Sequence, residues 1–403
     1  MKPTVITGLQ WGDEGKGKVI DLLASRYDAT VRFNGGNNAG HTVKNGDKTL
    51  HFSLIPSAAL HEQKILISQA VAINPEVLLN EIAMLKKLGV EVDLGIDPRC
   101  HVVVPYHQAL DGASEASKGK AKTGSLGLGI GFTFEDRTNR AGIRMEDLVQ
   151  PKVLEEKLRQ NWTLKKKRVT EAYGQNFNLV LKDVIKTYTS YGRRLKQYLL
   201  PVAEYTLENM DKERFLFESA QGFYLDFVFG TYPYTVAYHT IASSALPAIG
   251  LPPMNLKVVG IAKAYTTRVG NGPFPTEQDN DIGQHLRDKG HEYGTVSKRP
   301  RRCGWFDLEM VRKACQMSGV NTLVLTKLDV LSGLKKIKVK TKDGYEEFTG
   351  WDEDITGIRQ WSKLPVACRR YVVYLEKQLQ VPIQYLSVGP DRKQTIKKVS
   401  HAR

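Results

Sequence analysis

Residues 10–19 read QWGDEGKGKV, and the fold turns on them. Gly12, Gly17 and Lys18 fit G-x-x-x-x-G-K, the spacing of a phosphate-binding loop. The next position should be a Ser or Thr that holds magnesium, and here it is Val19. Upstream, TVITGLQ (4–10) is short, β-branched and mostly apolar, as a strand is. Downstream, EGKGKVIDLLASRY (14–27) spaces Val19, Ile20, Leu22 and Leu23 as a helix does, and DATVRF (28–33) is strand-like again. Strand, glycine loop, helix, strand is the βαβ opening of an α/β domain. In that setting Gly12, Gly15 and Gly17 let backbone N–H groups converge on an anion at a helix N-terminus. Lys16 and Lys18 add charge, and Asp13 supplies a carboxylate that binds magnesium with no hydroxyl at Val19. The bland alternative is a polar turn before a helix.

Working outward, NPEVLLNEIAMLKKLG (74–89) predicts a helix with Asn74 as N-cap, Pro75 in its first turn and Gly89 past its end. Residues 178–209 read as mainly helical. RFLFES (214–219), KVVGIAKAY (257–265) and NTLVLTKLD (321–329) are continuous apolar runs, the mark of buried parallel strands. A helix over 365–380 and a strand over 382–389 complete the pattern. No repeat, low-complexity segment or linker divides the chain, so one domain over 1–403 is expected.

The composition, 25% charged and 41% hydrophobic over 403 residues, is that of a globular protein. No apolar run approaches the ~18 residues of a membrane span, and the N-terminus lacks the pattern of a signal peptide. Four cysteines without a C-x-x-C pair suit reduced thiols in the cytoplasm. The net charge of +15 is spread over runs such as LKKKRV (164–169) with no interleaved aromatics. Solvated faces and anionic small ligands explain it better than nucleic acid.

Two further stretches carry chemistry. GGNNAGHTV (35–43) follows the second strand as a polar, backbone-exposing loop, and His41 in it could assist phosphoryl transfer or act as an acid. TKLD (326–329) closes an apolar strand. Its Lys and Asp follow the order of the guanine-recognition motif of GTP-binding proteins, where the carboxylate accepts from the guanine N1–H and amino groups.

With QWGDEGKGK, VRFNGGNNAGHTV, GIGFTFEDR, ESAQGFYLDFVFGTYPY, AYTTRVGNGPFPTE, RPRRCGWFDL, LTKLDVLSGL and GPDR in this order, the sequence resembles the adenylosuccinate synthetase family along nearly its whole length. The resemblance implies a P-loop-like GTP-binding α/β fold: a large central, mostly parallel sheet flanked by helices, with inserted helical and loop subdomains. It also implies a GTP- and magnesium-dependent ligase that joins aspartate to the 6-oxo group of inosine monophosphate through a 6-phosphoryl intermediate. By the same resemblance, Asp13 is base and metal ligand, His41 stabilises the transfer, and the Gly40 carbonyl is a second metal ligand. Gly12, Glu14, Gly15, Lys16, Gly17, Lys18, Gly40 and Thr42 are expected around the GTP phosphates. Lys327, Asp329, Ser387, Gly389 and Pro390 are expected at guanine. Asn38, Ser125, Leu126, Gln221, Val236 and Arg299 are expected at the acceptor nucleotide, and Thr295, Val296, Ser297 and Arg301 at the amino acid. Arg140 matches an arginine that reaches across a homodimer.

The chain also departs from the family. Its loop GSLGLGIG (124–131) has Leu126 and Leu128 where a threonine and an arginine are usual, and Val236 replaces a second threonine. Val296 and Lys298 alter the amino-acid loop. These changes fall on the substrate side, while the GTP-side motifs are nearly intact. They raise the alternative of a relative that activates another oxo-heterocycle, such as an unphosphorylated or modified nucleoside or deoxyguanylate, or that uses another amino acid. A nonenzymatic GTP-binding or nucleic-acid-binding protein is a third reading, opposed by the joint presence of Asp13, His41 and Arg301.

Overall fold

The computed structural model describes residues 2–45, 48–293 and 300–398. Thr295, Val296, Ser297, Lys298 and Arg299 lie outside the described residues. The centre is a nine-stranded sheet. Its order is Thr395–Lys397, Ile383–Ser387, Thr322–Thr326, Lys257–Lys263, Thr4–Gly8, Phe215–Gly222, Ala29–Arg32, Lys64–Ile67 and Asp93–Ile96. Every neighbouring pair is parallel except the edge pair that Thr395–Lys397 makes with Ile383–Ser387. The three strands expected from continuous apolar runs are all in this sheet, buried on both faces as such runs require.

The glycine loop leaves the central strand. Adjacent side chains of that strand go to opposite faces: Ile6 joins one core with Val19, Ile20 and Leu23, and Val5 joins another with Phe215 and Phe217. The helix after the loop, Lys16–Ala24, is therefore held by its own apolar stripe against the strand that feeds it. The helix Pro75–Lys87 starts as expected, with the Asn74 side chain accepting from the N–H groups of Glu76 and Val77. Gly89 follows at φ 73°.

Two features differ from the expectations. His41 is not in a loop: it opens the strand His41–Asn45, which pairs antiparallel with Lys48–Phe52. The basic run at 164–169 is the end of a long helix, Pro151–Lys167, packed against a second, Leu181–Leu195. Its Lys165 is buried in an ion pair with Asp136, which also contacts His107 at 2.9 Å. That helix buries Leu154, Leu158, Asn161 and Lys165. Two of the four positions on its inner stripe are polar, which hides the helical period from an apolar count.

Candidate functional site

The loop between Gly8 and Lys16 is built around Glu14. Its carboxylate is wholly buried, and Oε1 accepts from the N–H groups of Gln10 (3.0 Å) and Gly12 (2.9 Å). Oε2 takes the Lys16 ammonium at 2.6 Å. Two glycines make room for it: a Cβ at Gly8 or at Gly222 would lie 2.3 Å from a Glu14 oxygen. The Glu14 side chain is thus turned inward and shapes the loop, so that a contact with GTP phosphates would fall to its backbone N–H. Gly12, Asp13 and Gly15 have φ of 86°, 59° and 88°. The left-handed turn at Asp13 is uncommon for a residue with a Cβ, although aspartate tolerates it better than most. Thr326 Oγ1 donates to the Glu14 carbonyl (2.6 Å), tying the loop to the end of a strand two places away in the sheet.

Asp13 lines a cavity of about 500 Å³ together with Asn38, Gly40, Gln221 and Arg301. Asp13 Oδ2 lies 2.8 Å from Arg301 Nε, so a residue expected at the amino acid already touches the expected base. Gln221, at φ 67°, donates to the Asn38 carbonyl (3.2 Å), and Asn38 donates to Tyr238 Oη (3.0 Å). His41 packs close to the helix N-terminus: a Cβ at Gly17 would lie 3.5 Å from the His41 Cβ and 3.2 Å from the Thr42 carbonyl. Its Nδ1 is 2.6 Å from Oε1 of fully buried Glu218, whose other oxygen accepts from the Ser57 N–H at 3.0 Å. Burial works against the Glu218 charge, but His41 and Arg32 outweigh it and hold the carboxyl below its usual range. Thr42 is exposed, with its hydroxyl 3.0 Å from His51 Nδ1. Glu218 sits in ESAQGFYLDF, where only its place on a buried strand marked it.

The residues expected at guanine, together with Lys18, come from three segments. Lys18 Nζ donates to Ser387 Oγ (2.7 Å) and to the carbonyls of Gly389 (2.6 Å) and Gln394 (3.0 Å), joining the glycine-loop helix to the turn after the strand Ile383–Ser387. Burial lowers its pKa from 10.5 to about 7, with Asp329 and Asp391 pulling the other way. Gly389 packs under the Gln394 side chain, whose Oε1 a Cβ would meet at 2.4 Å, and Pro390 beside it is exposed. Lys327 is left-handed at φ 63° and donates to the Gly290 carbonyl (2.6 Å). Burial raises the pKa of Asp329, against the pull of Lys327, and its Oδ1 is buried with no hydrogen-bond partner among the described residues. An orphaned, desolvated carboxylate oxygen is costly unless a ligand donor answers it, which is what a guanine edge offers.

On the acceptor side, Ser125 donates to Asp111 Oδ1 (2.6 Å), and Glu115 accepts from Gly124 N–H (2.6 Å), so the 124–131 loop is held on the helix Pro105–Ser117. Leu126 lines the cavity and is 47% exposed. Leu128 and Val236 also line it, but they pack on one apolar cluster with Ile130, Phe134 and Tyr238. Arg140, exposed at φ 63°, is not brought into the cavity; it borders a separate depression beside Phe227 and Ala237. Among the described residues no cluster of three or more His, Cys, Asp or Glu side chains could hold a metal by itself. The loop carboxylate of Asp13 and the carbonyl of Gly40 are oxygen donors on the same cavity, which suits a hard cation that takes its other ligands from phosphate and water.

Comparisons with known proteins bear on the chain as a whole. The family model described as adenylosuccinate synthetase matches residues 5–342 and 340–396. The chain is 44% identical to the adenylosuccinate synthetase of Caldanaerobacter subterraneus subsp. tengcongensis, over 98% of this chain and 99% of that one. It is 41% identical, with the same coverage, to that of Clostridium acetobutylicum. Its structure superposes on fully ligated adenylosuccinate synthetase from Plasmodium falciparum with a TM-score of 0.91 and 34% identity, covering 99% of this chain and 100% of that one. A cyanophage S-2L succinoaminodeoxyadenylate synthetase bound to dGMP and dATP shares the fold at a TM-score of 0.65 and 18% identity, over 98% of this chain and 95% of that one. Full-length similarity at these identities, on a chain whose loop, orphaned carboxylate and cavity were reached independently, leads to one conclusion: the chain belongs to the adenylosuccinate synthetase family.

Proposed function

We propose that the chain condenses aspartate with inosine monophosphate at the expense of GTP, and that the residues above divide the work as follows. Asp13 accepts the N1 proton of the base. The 6-oxygen then attacks the γ-phosphorus, forming a P–O bond as GDP leaves. The amino group of aspartate next displaces the phosphoryl group from C6, and phosphate departs carrying the former 6-oxygen. His41, braced by Glu218, stabilises the charge on the transferring group. Arg301 presents paired donors to the aspartate carboxylate. Magnesium, held by Asp13 and the Gly40 carbonyl, would neutralise phosphate charge during transfer. A homodimer would bring Arg140 to the partner's nucleotide, consistent with its place outside its own cavity. Four free, buried cysteines suit a reducing, cytoplasmic setting.

The observation that carries this reading is Asp329 Oδ1, buried with no hydrogen-bond partner among the described residues and close to the Lys18 ammonium. Replacing Asp329 with Asn inverts its hydrogen-bonding pattern. Asp329→Asn should raise KM for GTP at least tenfold and improve turnover of xanthosine triphosphate, each lost charge-assisted bond being worth about 1.5–3 kcal/mol. Equal use of ATP and GTP by the unsubstituted enzyme would defeat it. The exposed Leu126 favours a second reading, in which the acceptor lacks a 5′-phosphate. Tighter binding of inosine than of inosine monophosphate would establish that reading.

A further inference from the structure

Glu292 has no role in the chemistry just described, yet it contacts residues assigned to two different ligands. It is fully buried. Oε1 accepts from Lys263 Nζ (2.8 Å) and Tyr265 Oη (2.5 Å) and lies 3.8 Å from Lys327 Nζ. Oε2 accepts from Arg301 Nη1 at 2.8 Å, and the Arg301 backbone N–H donates to the Glu292 carbonyl at 2.8 Å. One carboxylate thus touches the lysine placed at guanine and the arginine placed at the amino acid. That arginine in turn contacts Asp13 at 2.8 Å. Lys263 is itself buried, and its second bond goes to Thr267 (2.7 Å), so it holds Glu292 from behind. Burial opposes the Glu292 charge, but Lys263, Lys327 and Arg301 prevail and hold its pKa at about 2.

We infer that Glu292 is a positioning residue that aims Arg301 and Lys327 together, coupling the amino-acid and GTP pockets through a single buried charge. The inference rests on the proposed roles of those two residues. A buried carboxylate serving only stability would need one cation, and Lys263 supplies it. Arg301 and Lys327 reach the same group from segments 26 residues apart in sequence, with the strand Thr322–Thr326 between them. When Arg301 takes a carboxylate ligand, or Lys327 a guanine, the charge shared at Glu292 is redistributed to the other.

The test is steady-state kinetics of the full chain for each substrate separately. Glu292→Gln should raise KM for aspartate about tenfold or more, the loss of a charge-assisted bond at Arg301, and KM for GTP about threefold to fivefold, the loss of the longer ion pair at Lys327, while KM for inosine monophosphate stays within about twofold. The unsubstituted enzyme should also bind GTP more tightly when aspartate is present, and the variant should lose that linkage. Glu292→Gln leaves Lys263 buried and unpaired and could fail to fold, so the double variant Lys263→Met, Glu292→Gln is measured beside it. A folded double variant with the same two raised KM values supports the role. Folded variants with only a lowered Tm, or with all three KM values raised alike, overturn it. If the unsubstituted enzyme does not use aspartate at all, the proposed function fails rather than the geometry, and GTP affinity alone, lowered or unchanged in the variants, then decides the Lys327 half.

Discussion

At the scale of single residues, this site is built from charges placed where water is scarce. Lys18 is the clearest case, because its three acceptors lie at the end of the strand Ile383–Ser387 and in the turn after it. Its folded pKa of about 7 lies below its ordinary 10.5. The unfolded chain therefore binds more protons between those values, and folding stability contributed at this site rises with pH across the window. Below about pH 7 the penalty of burying the charge is felt in full, and it lifts as the pH approaches 10.5. Urea denaturation of the unsubstituted protein and of Lys18→Met, at several pH values in this window, should show their stability difference moving in favour of the lysine as pH rises. A pH-independent difference would mean that Lys18 stays charged throughout.

At the scale of elements, the glycine loop depends on space reserved by residues far away in sequence. Gly222 lies at the end of a neighbouring strand, and a Cβ there would meet Glu14 Oε1 at 2.3 Å and both the Gln10 carbonyl and the Gly12 N–H at 2.5 Å. Two of these are backbone atoms that cannot swing aside. Gly222→Ala should cost about 1–3 kcal/mol of stability, as overpacked cores do, and should weaken GTP binding by distorting the loop. Gly112, inside the helix Pro105–Ser117 with open space around its Cβ, is the control. Gly112→Ala should stabilise by about 0.5–1 kcal/mol. Thermal melts beside GTP titrations check both, and a Gly222→Ala protein that binds GTP normally would remove the claim.

The sequence carried the parts of this site that local chemistry announces: the glycine loop, the Lys-Asp pair after a strand, and the parallel strands written as apolar runs. It did not carry what depends on long-range burial. The inward turn of Glu14 needs Gly8 and Gly222 together, and the His41 contact needs Glu218 from a strand 177 residues on. The helix Pro151–Lys167 was missed because Asn161 and Lys165 occupy its inner stripe, satisfied by the Ala141 carbonyl and by Asp136. Leu128 and Val236 stand in sequence only as departures from the family on the substrate side, and in space both pack on the same apolar cluster.

At the scale of the whole molecule, Arg140 makes the homodimer a functional question. It lies outside its own cavity, bordering a depression that it shares with exposed Phe227. Arg140→Leu and Asp13→Asn subunits should each be inactive alone. Mixed under conditions that exchange subunits, they should regain activity, because one site in each mixed dimer has both residues. Verified mixed dimers without activity would show that Arg140 does not act across the interface.

The central claim is that GTP activates the 6-oxygen of the acceptor. The measurement that reaches it is transfer of a heavy-oxygen label from the 6-oxo position of inosine monophosphate, followed in the phosphate released during turnover with GTP and aspartate. The account predicts one labelled oxygen in each phosphate formed with the unsubstituted enzyme, and no such transfer with Asp13→Asn. Phosphate that carries oxygen only from GTP and solvent water would mean that GTP is hydrolysed without activating the acceptor, and would contradict it.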